Sequence, residues 1–252
     1  MKQVQGHILT ANGFVDGMLQ VQEGRIHRLQ GHVVDETVVR GSDKPLLLPG
    51  FVDLHVHGGG GRDAMEGGDA VTTLARLHAQ HGTTSLLATT MTAPMAEIQQ
   101  AVKAIGDHCR QRSSNAARVL GVHLEGPFLN EQRLGAQPAY AQPANLRDVL
   151  RLHALAPLRL ITLAPEVPPH LDLIAPLRAH GFVVQVGHSN GSYEDGVAAL
   201  RQGASGFTHL FNAMSPLHQR APGMVGAALA HAQHAEIIPD LLHVHPGALR
   251  AA

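Results

Sequence analysis

The chain has 252 residues, with 19 Lys and Arg against 20 Asp and Glu and a formal net charge of −1, so its charge does not suit a nucleic-acid or anionic-membrane binder. A hydrophobic fraction of 44% beside 15% charged residues excludes a disordered chain. The single cysteine, Cys109, excludes a disulfide framework and a cysteine-only zinc site, and points to a cytoplasmic setting. The opening MKQVQGHILTANG lacks the basic start and apolar stretch of an export signal, and no run reaches the roughly 18 apolar residues of a spanning helix.

In chain order, residues 1–45 alternate polar and apolar over Gln3 to Leu9, Gly17 to Gln22 and Ile26 to Leu29, with a turn at Glu23-Gly24. This period-two pattern predicts a small antiparallel sheet, the N-terminal part of a small β domain. From residue 46 to 252 the rhythm changes. Strands are predicted at Leu46 to Val56, Thr84 to Thr89, Val119 to Leu124, Leu158 to Leu163, Phe182 to Val186, Gly206 to Leu210 and Glu236 to Ile238. Helices are predicted at Ala70 to His81, Met95 to Arg112, Leu146 to Leu155, Leu171 to His180 and Tyr193 to Gln202, with another starting after Pro246. Helices alternating with short apolar strands imply right-handed crossovers and a parallel sheet. The repeat of roughly 25 to 40 residues suits an α/β fold of the (β/α)₈ barrel kind. Seven strands are accounted for and an eighth is not, so an incomplete barrel is expected.

The chemistry sits at the strand ends. Phe51-Val-Asp-Leu-His-Val-His57 runs into four glycines, and residues two apart on a strand face one side, so His55 and His57 can present both imidazoles together. The third strand ends in Val122-His-Leu-Glu-Gly-Pro127, the fifth in Val186-Gly-His-Ser-Asn190 and the sixth in Phe207-Thr-His-Leu-Phe-Asn212. In a barrel all these ends open on one face, which brings Glu125, His188 and His209 toward the His55/His57 pair. Two histidines and a glutamate form a catalytic zinc set that leaves a position open for water. Taken singly, each residue has an ordinary explanation: a solvated strand end, a surface acid, a partly buried imidazole. Four equivalent positions filled together favour the metal.

These segments resemble the N-acetylglucosamine-6-phosphate deacetylases of the amidohydrolase superfamily. The resemblance rests on Leu48-Pro-Gly-Phe-Val-Asp-Leu-His-Val-His57, Gly121-Val-His-Leu-Glu-Gly-Pro-Phe-Leu-Asn130, Leu163-Ala-Pro-Glu166, Gly187-His-Ser-Asn190, Thr208-His-Leu-Phe-Asn-Ala-Met214 and Ile237-Ile-Pro-Asp-Leu-Leu-His-Val244. It implies a TIM-like barrel and hydrolysis of the acetamide of N-acetylglucosamine 6-phosphate, a step of amino-sugar catabolism. It further implies a primary divalent ion on Glu125, His188 and His209, with His55 and His57 keeping a second ion open. Zinc leads among the candidate metals, ahead of iron, manganese and cobalt. Substrate contacts carry over to Ala136, Gln137, Asn212, Ala213 and His243. Arg220 corresponds to an arginine that reaches the sugar phosphate from the neighbouring subunit of a homodimer, a role suited to its planar fork of donors.

Two departures stand out. Gln137 occupies a position where the family usually has histidine, so the contact expected there can hydrogen-bond but cannot be charged. The family's catalytic aspartate belongs to a segment beyond Ala252, so no catalytic residue is assigned within the chain and impaired turnover is expected. Two other readings stay open: another amidohydrolase acting on a small N-acyl or cyclic amide, and a noncatalytic remnant that binds metal or sugar phosphate.

Overall fold

The computed structural model describes residues 1–111 and 113–252, which form two compact units, Met1–Phe51 and Val52–Ala252. In the first, β1 (Lys2–Thr10), β2 (Gly13–Gln22) and β3 (Arg25–Val34) form an antiparallel meander. The helical turn α1 (Glu36–Arg40) is started by Asp35, whose carboxylate accepts from the Thr37 N–H at 2.9 Å. The chain then adds β4 (Leu46–Leu47) in parallel against β1, giving the order β3-β2-β1-β4. The single strand predicted over Leu46 to Val56 is therefore two strands. Pro49, with no N–H to give a ladder, falls in the gap between them.

The second strand of that pair, β5 (Phe51–Val56), opens the larger sheet. A two-rung ribbon of β6 (Gly58–Gly59) and β7 (Arg62–Asp63) follows. Then come α2 (Asp69–Gln80), β8 (Thr83–Thr89), α3 (Met95–Arg110), β9 (Arg118–Glu125), α4 (Leu146–Leu155), β10 (Leu158–Leu163), α5 (His170–Ala179), β11 (Val183–Val186), α6 (Tyr193–Arg201), β12 (Gly206–Phe207), α7 (Gly223–His231) and α8 (Pro246–Ala251). The sheet has the order β12-β11-β10-β9-β8-β5, and β8 through β12 pair in parallel. The predicted helix end at Arg112 lies outside the described residues.

The central strands β8, β9 and β10 are buried over most of their length on both faces, whereas β5 exposes Phe51, Val52 and Leu54. On β9, Val122 and Leu124 pack into the apolar layer shared with Ile98, Val102 and Ile105 of α3, while His123 and Glu125 point to the other side. The apolar positions of α3 recur at helical spacing, which is why its period is readable in the sequence. Helix α7 was not predicted, because Gly223 to Ala228 are all buried and the segment has no polar face to reveal a period. The seventh predicted strand, Glu236 to Ile238, is corrected to an edge segment. It continues the sheet next to β12 through a parallel bridge of Ala235 with Phe207 and the bonds Glu236 N to Phe207 O (2.9 Å) and Leu210 N to Glu236 O (2.7 Å). The six-stranded sheet with its intervening helices agrees with the incomplete (β/α) barrel expected from the sequence.

Candidate metal centre

The carboxyl ends of β5, β9, β11 and β12 bring five side chains together. Glu125 closes β9 and is 1% exposed. Its Oε1 lies 3.0 Å from His188 Nε2 and 2.9 Å from His209 Nε2, and its Oε2 lies 3.2 Å from His55 Nε2 and 2.8 Å from His57 Nε2. Each carboxylate oxygen thus serves one histidine pair. His188 (φ 49°) and His209 (φ 34°) both have left-handed backbone, a conformation costly for a side-chain-bearing residue and held here by neighbouring strand-end loops. The His188 carbonyl accepts from Asn130 N–H at 3.0 Å, and Ser189 N–H donates to Ala213 O at 3.1 Å. Gly126, directly after Glu125, has φ 80°, and a Cβ there would sit 2.1 Å from Thr92 Oγ1, so only glycine fits this turn.

The donor set suits a cation. His188 Nδ1 lies 2.8 Å from the carbonyl of Arg133 and must donate to it, so in the neutral ring Nε2 carries a lone pair. That lone pair faces both Glu125 Oε1 and His209 Nε2, the latter only 3.1 Å away. His55 repeats the pattern: Nδ1 is 3.1 Å from Glu236 Oε2, while Nε2 is 3.1 Å from His57 Nε2. A tetrahedral zinc with bonds of about 2.0–2.2 Å keeps its ligand atoms roughly 3.3–3.5 Å apart. The observed spacings lie a few tenths of an ångström inside that value, so a small outward shift admits an ion on either side of Glu125.

Without an ion the cluster carries its own charge balance. Burial alone raises the Glu125 carboxyl, but the four imidazoles of His188, His209, His55 and His57 within hydrogen-bond distance outweigh it and hold the group well below the usual carboxylate range. Burial alone lowers His55, yet its bonds to Glu125 and Glu236 lift it to about 10. Beneath the cluster, burial keeps His123 neutral. Its Nε2 lies 2.7 Å from Thr162 Oγ1, which lies 2.7 Å from Thr208 Oγ1, and Thr208 bonds Gln185 Oε1 at 2.9 Å. This polar ladder links β9, β10 and β11 to the residue that follows β12.

The cluster opens into a cavity of about 910 Å³ that Ala136, Gln137, Asn212, Ala213 and His243 also line. Asn212 is fixed by its N–H to His209 O at 3.0 Å, and Ala213 has φ 52°. His243 Nδ1 is 2.6 Å from Asp240 Oδ2, and the His243 N–H and ring together with the Leu242 N–H hold Asp240 at about 2. Arg220 lies apart from the cavity wall, on an exposed turn where its N–H donates to His218 Nδ1 at 3.2 Å. Gln137, expected as a sugar contact, is 7% exposed and has protein partners: its Oε1 accepts from Thr92 N–H at 2.6 Å and its Nε2 donates to Glu125 Oε2 at 2.9 Å. Sequence reasoning missed Glu236, the partner of His55, and Glu166. The Glu166 carboxylate accepts from Asn130 Nδ2 (2.8 Å), Ser189 Oγ (2.6 Å) and Asn190 N–H (2.7 Å), tying together the loops around His188. The Leu163-Ala-Pro-Glu166 motif was visible, but nothing in it indicated these partners.

A parallel barrel sheet with an imidazole and carboxylate cluster at its carboxyl mouth defines the class as an amidohydrolase-type fold. The chain is 37% identical to the N-acetylglucosamine-6-phosphate deacetylase of Lysinibacillus sphaericus, a match covering 97% of this chain and 65% of that protein. It is 38% identical to the N-acetylgalactosamine-6-phosphate deacetylase of Escherichia coli O157:H7, covering 96% of this chain and 65% of the relative. The crystal structure of N-acetyl-D-glucosamine-6-phosphate deacetylase from Mycobacterium smegmatis superposes with a TM-score of 0.86 at 30% identity, over 99% of this chain and 67% of that one. No protein-family model matches the chain. The chain belongs to the N-acetylglucosamine-6-phosphate deacetylase family, and it spans about 65% of the length of the curated relatives it matches.

Proposed function

We propose that this chain forms the metal- and substrate-binding part of a deacetylase acting on N-acetylglucosamine 6-phosphate, with glucosamine 6-phosphate and acetate as products. The observation that carries this reading is the convergence of Glu125, His188, His209, His55 and His57 at the mouth of one cavity. Glu125, His188 and His209 would hold the primary divalent ion, and Glu125, His55 and His57 would hold a second. The nitrogen-rich set suits zinc best. A bound ion supplies Lewis acidity and brings the pKa of its water toward about 7.

The chain's own residues bind and orient the substrate. His243, its ring held through Nδ1 by Asp240, lines the cavity, and in its imidazolium form it donates from Nε2 to the oxygen that becomes negative as the acetamide carbonyl is attacked. The side chain of Asn212 and the backbone at Ala213 bind the sugar, and Ala136 and Gln137 line the same cavity. Arg220, exposed on its turn, engages the 6-phosphate, reaching the site of a second copy in a homodimer. The proton of the attacking water passes to a base outside these residues. A phosphorylated sugar and a lone thiol suit a cytoplasmic reaction, and among the described residues no helix is long and apolar enough to cross a membrane.

The galactosamine-type relative at 38% identity makes the C4 epimer a second substrate reading. Calorimetry with both sugar phosphates and with unphosphorylated N-acetylglucosamine, with zinc and with a chelator, tests the proposal. Metal-dependent binding of a phosphorylated sugar together with much weaker binding of the unphosphorylated one is expected. Equal binding of all three, or no dependence on metal, contradicts it.

A further inference from the structure

We infer that Gln137 is a positioning residue that makes the two sides of Glu125 unequal, so that the Glu125–His188–His209 side takes the first metal ion. This rests on the metal-binding reading above, in which that side already holds the primary ion, and goes beyond it by naming the residue that sets the inequality.

The amide of Gln137 has only one possible orientation. A backbone N–H can only donate, so Thr92 N–H at 2.6 Å fixes the near atom as Oε1. The NH₂ group must then be the atom 2.9 Å from Glu125 Oε2. With Gln137 7% exposed, water cannot readily replace this donor. Oε2 thus carries a permanent neutral hydrogen bond, while no comparable amide reaches Oε1 among the described residues. A carboxylate oxygen already giving a lone pair to an N–H has less to give a cation, so Oε1 is the better ligand. Burial points the same way: the side chains of His188 and His209 are 6% and 10% exposed, against 17% and 32% for His55 and His57. The same tether locks the carboxylate plane, which aims Oε1 at both imidazoles. Groups that orient a metal ligand from behind commonly alter affinity by about 10–100-fold when removed.

The test is a cobalt titration of the protein, followed by its visible absorption and by calorimetry, on the parent, Gln137→Met, His188→Ala and His55→Ala chains. Methionine keeps the volume and reach but offers no N–H. Parent protein is expected to fill in two steps. Gln137→Met should weaken the first step by about 10–100-fold, bring the two steps closer together and change the visible bands of the first ion. His188→Ala should remove the tight step and His55→Ala should leave it. Thermal unfolding of the metal-free chains separates a general loss of structure from a change at the centre, because loss of structure alone lowers occupancy without altering the spectrum of the ion still bound. A Gln137→Met chain with parental steps and spectrum, or a tight step abolished by His55→Ala rather than His188→Ala, overturns the inference. If the parent binds no cobalt, the metal-binding reading itself fails and this inference with it.

Discussion

Replacing Glu125 by Gln removes the charge that faces all four imidazoles while leaving the volume nearly unchanged. In the metal-free chain Glu125 is an anion and His55, lifted from 6.5 to about 10, is its cation at neutral pH. Such a rise corresponds to on the order of 5 kcal/mol, at about 1.36 kcal/mol per pH unit, shared between the bonds to Glu125 and Glu236, so Glu125→Gln removes part of it. That agrees with the roughly 3–5 kcal/mol lost when one partner of a buried pair is removed. For a chain of this size each kcal/mol moves the melting temperature by about 2–4 °C, so a drop of roughly 6–20 °C is expected. The sign with pH is set by the direction of the shift. A histidine whose folded value is raised gives its stabilisation in full below 6.5 and loses it as pH climbs through about 10. The gap between the two chains should therefore be widest near pH 6 and shrink toward pH 10. Metal adds a second readout: zinc at about 100 times its dissociation constant should stabilise the parent by about 2.7 kcal/mol, and Glu125→Gln should gain little. Thermal unfolding at pH 6, 8 and 10, with zinc or chelator, measures all of this. Parental melting at pH 6 together with an undiminished gain from zinc refutes the reasoning.

Three further outcomes follow from the same geometry. In metal-free protein Glu125 contributes stability that is present above about 4.5 and lost as pH falls through its depressed folded value, so acid unfolding should be steeper for the parent than for Glu125→Gln. Gly106→Ala should destabilise α3 although alanine favours helix by about 1 kcal/mol, because its Cβ would meet Leu155 O at 2.3 Å; a melting temperature equal to or above the parent's contradicts the packing. Arg220→Ala should weaken binding of the phosphorylated sugar by about 10-fold or more, consistent with loss of a charge-assisted hydrogen bond, and leave binding of the unphosphorylated sugar unchanged; an equal effect on both contradicts a phosphate role.

Much of this was readable in the sequence because the chemistry sits at strand ends, where period-two alternation and the following glycine fix which way a side chain points. His55 and His57 share a face for that reason, and Glu125 precedes a Gly-Pro turn that can only be a strand exit. What escaped the sequence depends on contacts between distant segments. Glu236 meets His55 across 181 positions, and the bond from Thr92 to Gln137 crosses 45. No local pattern signals either: the resemblance alone makes Gln137 a substrate contact, and its amide is held between a backbone N–H and Glu125. Helix α7 escaped because burial on every side erases the periodicity that reveals a helix. The segment from Glu236 to Ile238 has the composition of a strand yet pairs with β12 only at its start.

The most direct test of a cation held by Glu125, His188 and His209 is anomalous diffraction at the zinc edge from crystals of the protein grown with zinc. A peak at roughly 2.0–2.2 Å from Glu125 Oε1, His188 Nε2 and His209 Nε2 is expected. Zinc found only elsewhere on the molecule, or those three side chains turned away from one another, contradicts it.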